Sequence, residues 1–352
     1  MAEHDFGGTT PVREQHRIDE AALARWMQRN VAGYAGPLQV DQFKGGQSNP
    51  TYRLRTPGAS YVLRRKPPGV LLKGAHAVDR EARVMSALGQ AGFPVPRVHG
   101  LCTDDGVIGS WFFVMDLVES RIFWDASFYS APQDQRAACM DAMNATLAQL
   151  HRIDYAAIGL ADYGRAGGYA ARQVARWSQQ YLDDKRAGRH PAMDRLVEWL
   201  PRHLPAADET AITHGDFRAD NMIFHPSEPR VLAVLDWELS TLGDPLADFA
   251  YNAMMFRMPP DILGGIAGLD LRAAGLPDEA AYVAAYCERT GRAGIPDLDF
   301  YIAFNMFRFA GILHGIRGRA ARGTASSADA RAMGDRFGRV AELAWQQVER
   351  LA

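Results

Sequence analysis

The chain is short of cysteine, of net charge and of long apolar runs. Its three cysteines, Cys102, Cys139 and Cys287, lie far apart in 352 residues. An odd, scattered set builds neither a disulfide framework nor a zinc pattern, so buried thiols in a reducing cytoplasm are expected. Lys and Arg number 39 against 41 Asp and Glu, a formal charge of −2. Without a basic excess the electrostatic footprint of a nucleic-acid binder is missing. No apolar stretch approaches the roughly 18–20 residues of a membrane span. The start, Met1-Ala2-Glu3-His4-Asp5, lacks the basic opening and apolar core of a signal peptide. Neither Gly-x-Ser-x-Gly nor His-Glu-x-x-His occurs, which argues against the familiar serine-hydrolase and zinc-protease sites.

What is present is ordinary globular composition, 47% hydrophobic and 23% charged, at a length that fits two domains or lobes. Residues 1–17 are polar and read as a flexible N-terminus. Asp19 can cap a helix carrying Leu23, Trp26, Met27 and Val31 at helical spacing. From about 38 to 64 the period changes to two, giving strands around Val40, Tyr52 and Val62. Val78, Ala82, Met85 and Leu88 then mark a helix, and Trp111–Met115 reads as a buried strand. This part, 18–118, is the expected N-terminal lobe. The remainder, 119–352, is mostly helical, with one hairpin formed by 221–224 and 231–235 and a loop expected over the Ala/Arg-rich stretch 319–333. Strands first and helices second predict an α+β fold of two lobes with a cleft.

The strongest local signal is His214-Gly215-Asp216-Phe217-Arg218-Ala219-Asp220-Asn221. Asp followed five positions later by Asn has the spacing of a kinase catalytic loop. Asp216 can take the proton of an attacking hydroxyl while Asn221 reaches a magnesium ion on the phosphates. Arg218, two positions on, is placed to steady the transferring phosphoryl. Next comes Val234-Leu235-Asp236-Trp237-Glu238, an apolar strand ending in a carboxylate, one hairpin after the loop. Kinases place a metal-binding Asp there, although Trp237-Glu238 stands where Phe-Gly is usual.

With these motifs the chain resembles the aminoglycoside phosphotransferase-like small-molecule kinases, which include choline kinases. The pattern His-Gly-Asp, Asn and Ile-Asp-Trp-Glu reads here as 214–216, Asn221 and Leu235-Asp236-Trp237-Glu238, and the likeness covers about 18–320. More narrowly, Tyr61–Gly69, Gly243–Asp248 and Phe307–Ile316 are similar to the kinase-like domain fused ahead of an acyl-CoA dehydrogenase in some eukaryotic proteins. The resemblance implies a protein-kinase-like fold, ATP or GTP with Mg2+ as cofactors, and metal ligands Asn221 and Asp236. It makes Gly45-Gly46-Gln47-Ser48-Asn49 the phosphate-covering loop, although the Walker pattern is absent. It puts Arg64 where the strand lysine is expected, with Glu81 as its helix partner. Lys66 stands two positions on as the rival phosphate ligand. It makes Asp116 and Val118 the adenine hinge through backbone carbonyl and amide, and makes Asp248 a brace for the catalytic loop.

Asp244 and Asp248 otherwise read as acids at a helix N-terminus, and His151 as a structural histidine. Arg308, His314 and Arg317 lie on a late basic segment that could hold an anionic acceptor. The expected activity is therefore phosphoryl transfer to a small-molecule hydroxyl, with a hydroxyacyl-CoA or similar anionic hydroxy compound as acceptor. An aminoglycoside or choline-like amine kinase, and a nucleotide-binding scaffold without turnover, are the rival readings. Nucleic acid and membrane are not expected partners, and nothing in the sequence sets an oligomeric state.

Overall fold

A computed structural model describes residues 8–44, 49–67, 76–206, 209–324 and 330–351. The chain divides into two compact units. The first holds Met1–Arg121, Ala156–Leu160 and Met222–Ser240, and the second Ile122–Tyr155, Ala161–Asn221 and Thr241–Ala352.

In the first unit, ten residues at the start of the described chain include a short strand, β1 (Thr9–Thr10), within the segment read as flexible. It pairs with β2 (Gln39–Phe43), and β3 (Thr51–Arg55), β4 (Ser60–Arg65), β5 (Val98–Cys102) and β6 (Phe112–Asp116) complete an antiparallel sheet in the order β1-β2-β3-β4-β6-β5. The period-two pattern explains its two faces. Tyr52, Leu54, Tyr61, Leu63, Phe112 and Val114 turn to one side and bury against Leu23, Trp26 and Met27 of helix α1 (Glu20–Asn30). Trp26 meets Phe112 edge to face at 4.8 Å. Asp19 caps α1 by accepting from the Ala22 amide at 2.8 Å. Arg64, one position off the core-facing set, falls on the opposite side, where its ion pair with Glu81 of α2 (Val78–Gln90) is made. A four-residue helix, α3 (Asp105–Ile108), leads toward β6. The hairpin of β8 (Met222–Phe224) and β9 (Val231–Val234) belongs to this same unit and not with the helices around it in sequence. The Val234 amide donates to the Pro94 carbonyl, and Trp237 packs edge-on against Phe93.

The second unit is helical apart from a two-stranded ladder of β7 (Ala211–Thr213) and β10 (Thr241–Gly243). Its helices are α4 (Gln133–Arg152), α5 (Tyr169–Asp183), α6 (Pro191–Trp199), α7 (Pro245–Ala253), α8 (Leu271–Ala274), α9 (Glu279–Thr290), α10 (Leu298–Ala321), α11 (Ala330–Gly334) and α12 (Phe337–Glu349). α7 and most of α10 are buried along their length and pack on each other. The expected loop over 319–333 is corrected at its two ends: α10 runs through Ala321 and α11 begins at Ala330, while 322–324 are non-helical and 325–329 lie outside the described residues. Ala and Arg are strong helix formers, and burial of the preceding turns extends the helix through them. Among the described residues no helix is long and apolar enough to cross a membrane. All three cysteines are buried thiols.

Candidate active site

In the first unit the chemistry gathers around Arg64. Its Nε lies 3.0 Å from Oε2 of Glu81, and its Nη2 lies 2.6 Å from Oδ1 of Asp236 and 3.5 Å from Oε2 of Glu238. Burial by itself would lower the guanidinium's pKa, but Glu81, Asp236 and Glu238 together raise it, so the cation is secure. Glu81 is 2% exposed, and burial pushes its pKa up to about 7 against the pull of Arg64. Buried Asn49 donates from Nδ2 to Glu81 Oε1 at 3.1 Å and meets His76 through Oδ1 at 3.0 Å. Asn49 therefore fixes the glutamate through its side chain. Gly45, Gly46, Gln47 and Ser48 lie outside the described residues.

Asp236 follows β9 with a left-handed backbone, φ 64° and ψ 63°. This region is disfavoured for residues with a Cβ, Asp and Asn being its most tolerant occupants. Trp237, where kinases carry Phe, is buried and donates from Nε1 to the Val234 carbonyl. Lys66 is elsewhere: its Nζ sits 3.9 Å over the Trp111 ring and 3.5 Å from Asp79. The structure thus brings Arg64, and not Lys66, to Glu81 and Asp236. Asp116 ends β6 with its carboxylate 2.6 Å from Nε2 of His99, and partly buried Val118 follows outside any regular element.

In the second unit the chemistry gathers around Asp216. Its Oδ1 accepts from the Tyr251 phenol at 2.5 Å and its Oδ2 from Asn221 Nδ2 at 3.0 Å. Asn221 also donates to the Asp216 carbonyl at 2.9 Å. Arg218 places Nε 3.3 Å from Asp216 and Nη2 2.6 Å from Asp220. Burial would raise the Asp216 pKa, but Arg218 and the Tyr251 and Asn221 hydrogen bonds hold it below the usual carboxylate value. The group is an ionised acceptor at neutral pH.

The loop that carries it is held by one helix face. Asp248 of α7 accepts from the amides of His214 at 2.7 Å and Gly215 at 2.8 Å. Tyr251 takes Asp216, and Asn252 donates to the Phe217 carbonyl at 3.0 Å. These three helix residues are spaced i, i+3 and i+4, so they share a face. Gly215 has φ 83°, a conformation that a Cβ would strain. His151 meets Asp248 at 3.3 Å and the Tyr286 hydroxyl at 2.7 Å, the structural role expected of it. Asp244 caps α7 through the Leu246 amide and receives the Tyr301 hydroxyl at 2.6 Å.

Three residues anticipated as an anion site are not gathered. Arg308 is buried and donates from Nη2 to the Gly215 carbonyl at 2.8 Å. His314 is buried with Nε2 on the Gly188 carbonyl, and Arg317 pairs with Asp335 and lies over Phe337. A basic helix end in sequence has become packing and loop support. Beside the catalytic loop, Arg218, Ala219 and Asp220 instead line a narrow pocket whose other walls are largely apolar, Met140, Met143 and Met255 among them.

A family model described as "Phosphotransferase enzyme family" matches residues 39–301. Curated relatives include acyl-CoA dehydrogenase family member 10 of Mus musculus, 44% identical over 340 residues, and family member 11 of Gallus gallus, 46% identical over 329 residues. The matches take in 96% and 91% of this chain but 32% and 42% of those relatives, so the chain spans less than half their length. Among solved structures, a Ralstonia eutropha protein described as a candidate aminoglycoside phosphotransferase superposes with TM-score 0.88 at 50% identity, covering 95% of this chain and 99% of that one. Choline kinase of Cryptosporidium parvum superposes with TM-score 0.60 at 10% identity over 94% and 97% of the two chains, a likeness of fold. The kinase-like α+β architecture expected from the sequence is the fold, with the sheet in the N-terminal part and helices in the C-terminal part.

Proposed function

The chain belongs to the phosphotransferase enzyme family, and from that premise we propose that it moves the γ-phosphoryl group of ATP or GTP to the hydroxyl of a small molecule in the cytoplasm. The observation that carries this reading is Asp216, ionised, oriented by Tyr251 and Asn221, on a loop clamped from behind by Asp248. Such a carboxylate orients an acceptor hydroxyl and takes its proton as the phosphorus–oxygen bond forms. Arg218 steadies charge on the transferring phosphoryl. Arg64, backed by Glu81, is assigned to the α- and β-phosphates, the 45–49 loop to covering the phosphates, and the Asp116 carbonyl and Val118 amide to the adenine.

Magnesium fits the donor chemistry. Asp236 offers a carboxylate, and Asn221 uses its Nδ2 on Asp216, which leaves the amide oxygen as its remaining ligand atom. Among the described residues no group of three or more His, Cys, Asp or Glu could hold a metal unaided. Few protein oxygens completed by phosphate oxygens is the usual way this ion is bound. When bound, it neutralises charge on the phosphates.

For the acceptor we favour a hydroxyacyl-CoA or a similar anionic hydroxy compound. The small pocket beside Ala219 is largely apolar, with Asp125 and Asp220 as its carboxylates, whereas a polycationic sugar calls for more extensively acidic walls. The longer relatives are named acyl-CoA dehydrogenase family members, which brings acyl-CoA esters into the screen. The test is acceptor-dependent ADP release across hydroxyacyl-CoAs, choline-like amines and aminoglycosides, with Asp236→Ala as control. Saturable release with a hydroxyacyl-CoA, lost in the variant, is expected. Release with aminoglycosides alone overturns the acceptor, and absence of magnesium-dependent ATP binding overturns the reaction.

A further inference from the structure

Arg64 makes its contacts through two different nitrogens, and the two ends differ in character. The Nε end meets Glu81, which is 2% exposed and fixed by Asn49. The Nη2 end meets Asp236, whose side chain is 35% exposed, with Glu238 as a second acceptor at 3.5 Å. The guanidinium thus stands on the carboxylate that a metal would use, and two cations on one carboxylate oxygen repel each other.

We propose that Arg64 is an exchange residue: its Nε stays on Glu81 while its Nη2 passes from Asp236 to the phosphates of an incoming nucleotide, so that magnesium gains Asp236 only together with nucleotide. The contact of Nη2 with Asp236 is the resting position of that exchange. Glu238 widens the resting position, because it offers Nη2 a second oxygen next to Asp236. A lysine presents its three donors from a single nitrogen, whereas the fork keeps one nitrogen anchored while a different one changes partner. The departure from the kinase lysine at this position then has a purpose, which is to keep the metal carboxylate neutralised until the nucleotide arrives.

The inference rests on Asp236 as the magnesium ligand, and the experiment separates the two. Thermal midpoints are measured without nucleotide, with and without millimolar Mg2+ at constant ionic strength. The wild type should show no resolvable shift. Arg64→Met should melt lower and gain about 2 °C or more from Mg2+, the size of effect a ligand well above its Kd produces. An equal gain in the wild type, or none in Arg64→Met, overturns the exchange. Should Arg64→Met fail to fold, Mn2+ titrated into wild type and followed by electron spin resonance decides. Free Mn2+ until ADP is added supports the exchange, and Mn2+ bound to the nucleotide-free protein refutes it. Asp236→Asn is the separating arm. If it keeps full magnesium-dependent tightening of ADP, the ligand reading has failed. If it loses that tightening while Arg64→Met shows no metal response, the exchange alone has failed.

Discussion

The phenol of Tyr251 lies 2.5 Å from Oδ1 of Asp216. Burial, and then the negative charge of Asp216, raise the phenol's pKa, so Tyr251 is the donor and Asp216 the ionised acceptor. The contact completes a row. Asp248, Tyr251 and Asn252 of α7 hold residues 214–217 one after another, and Arg308 of α10 adds a bond to the Gly215 carbonyl. The carboxylate's direction is therefore set from a helix through Tyr251 as well as from its own loop through Asn221 and Arg218.

Tyr251→Phe removes one donor without changing the shape of the side chain. A hydrogen bond to a charged group contributes about 1.5–3 kcal/mol, so kcat should fall roughly 10-fold or more while the KM for ATP stays near wild type. The Asp216 pKa should move up toward the ordinary carboxylate value, shifting the acidic limb of the kcat profile upward. Steady-state kinetics over a pH series make the measurement. Unchanged kcat and an unmoved limb would remove Tyr251 from the positioning of Asp216.

Asp248→Ala should be a stability variant first. It orphans the buried amides of His214 and Gly215 and takes a partner from His151. Each unsatisfied buried donor costs about 1–3 kcal/mol, so urea unfolding should show a loss of several kcal/mol. Asp248→Asn, which keeps one acceptor oxygen, should lose less. Equal stability of all three proteins would mean the loop is held by something else.

The pH dependence of stability has a named contributor in His314. Burial lowers its pKa below 6.5, partly opposed by the Gly188 carbonyl that accepts from it. A group whose folded pKa is depressed contributes its stability above the unfolded value and loses it as the pH falls through the folded one. Wild-type thermal midpoints should therefore drop between about pH 7 and pH 5. His314→Gln, which can still donate to Gly188 but cannot ionise, should drop less over the same range. Parallel curves for the two proteins would clear His314 of the effect.

Local chemistry was legible in the sequence, and long-range bracing was not. The spacing of Asp216 and Asn221, and Asp236 one hairpin later, could be read because each motif sits on a few consecutive residues. The resemblance to kinases put Arg64 at the strand-lysine position with Glu81 as its partner, and the structure contains that ion pair. Tyr251 and Asn252 were missed because their partners lie 35 residues away. The signal was present as the i, i+3, i+4 spacing from Asp248, which puts all three on the face that Asp248 was expected to use. Arg308 and His314 were read as cations for an anionic substrate should their helix face the cleft, with a basic helix end in solvent as the other reading. In a helix buried on most sides, those side chains become internal donors. The strand pair β7 and β10 escaped notice because three-residue strands carry too little periodicity to register.

The central claim is that Asp216 serves phosphoryl transfer and not merely the fold, and one comparison tests it most directly. Once an acceptor is found, wild type and Asp216→Asn are assayed for acceptor-dependent ADP release, with nucleotide affinity and melting temperature measured alongside. The account predicts a loss of at least ~10²-fold in turnover, the usual size for a missing acid–base group, with affinity and melting nearly unchanged. Wild-type turnover in Asp216→Asn would contradict it.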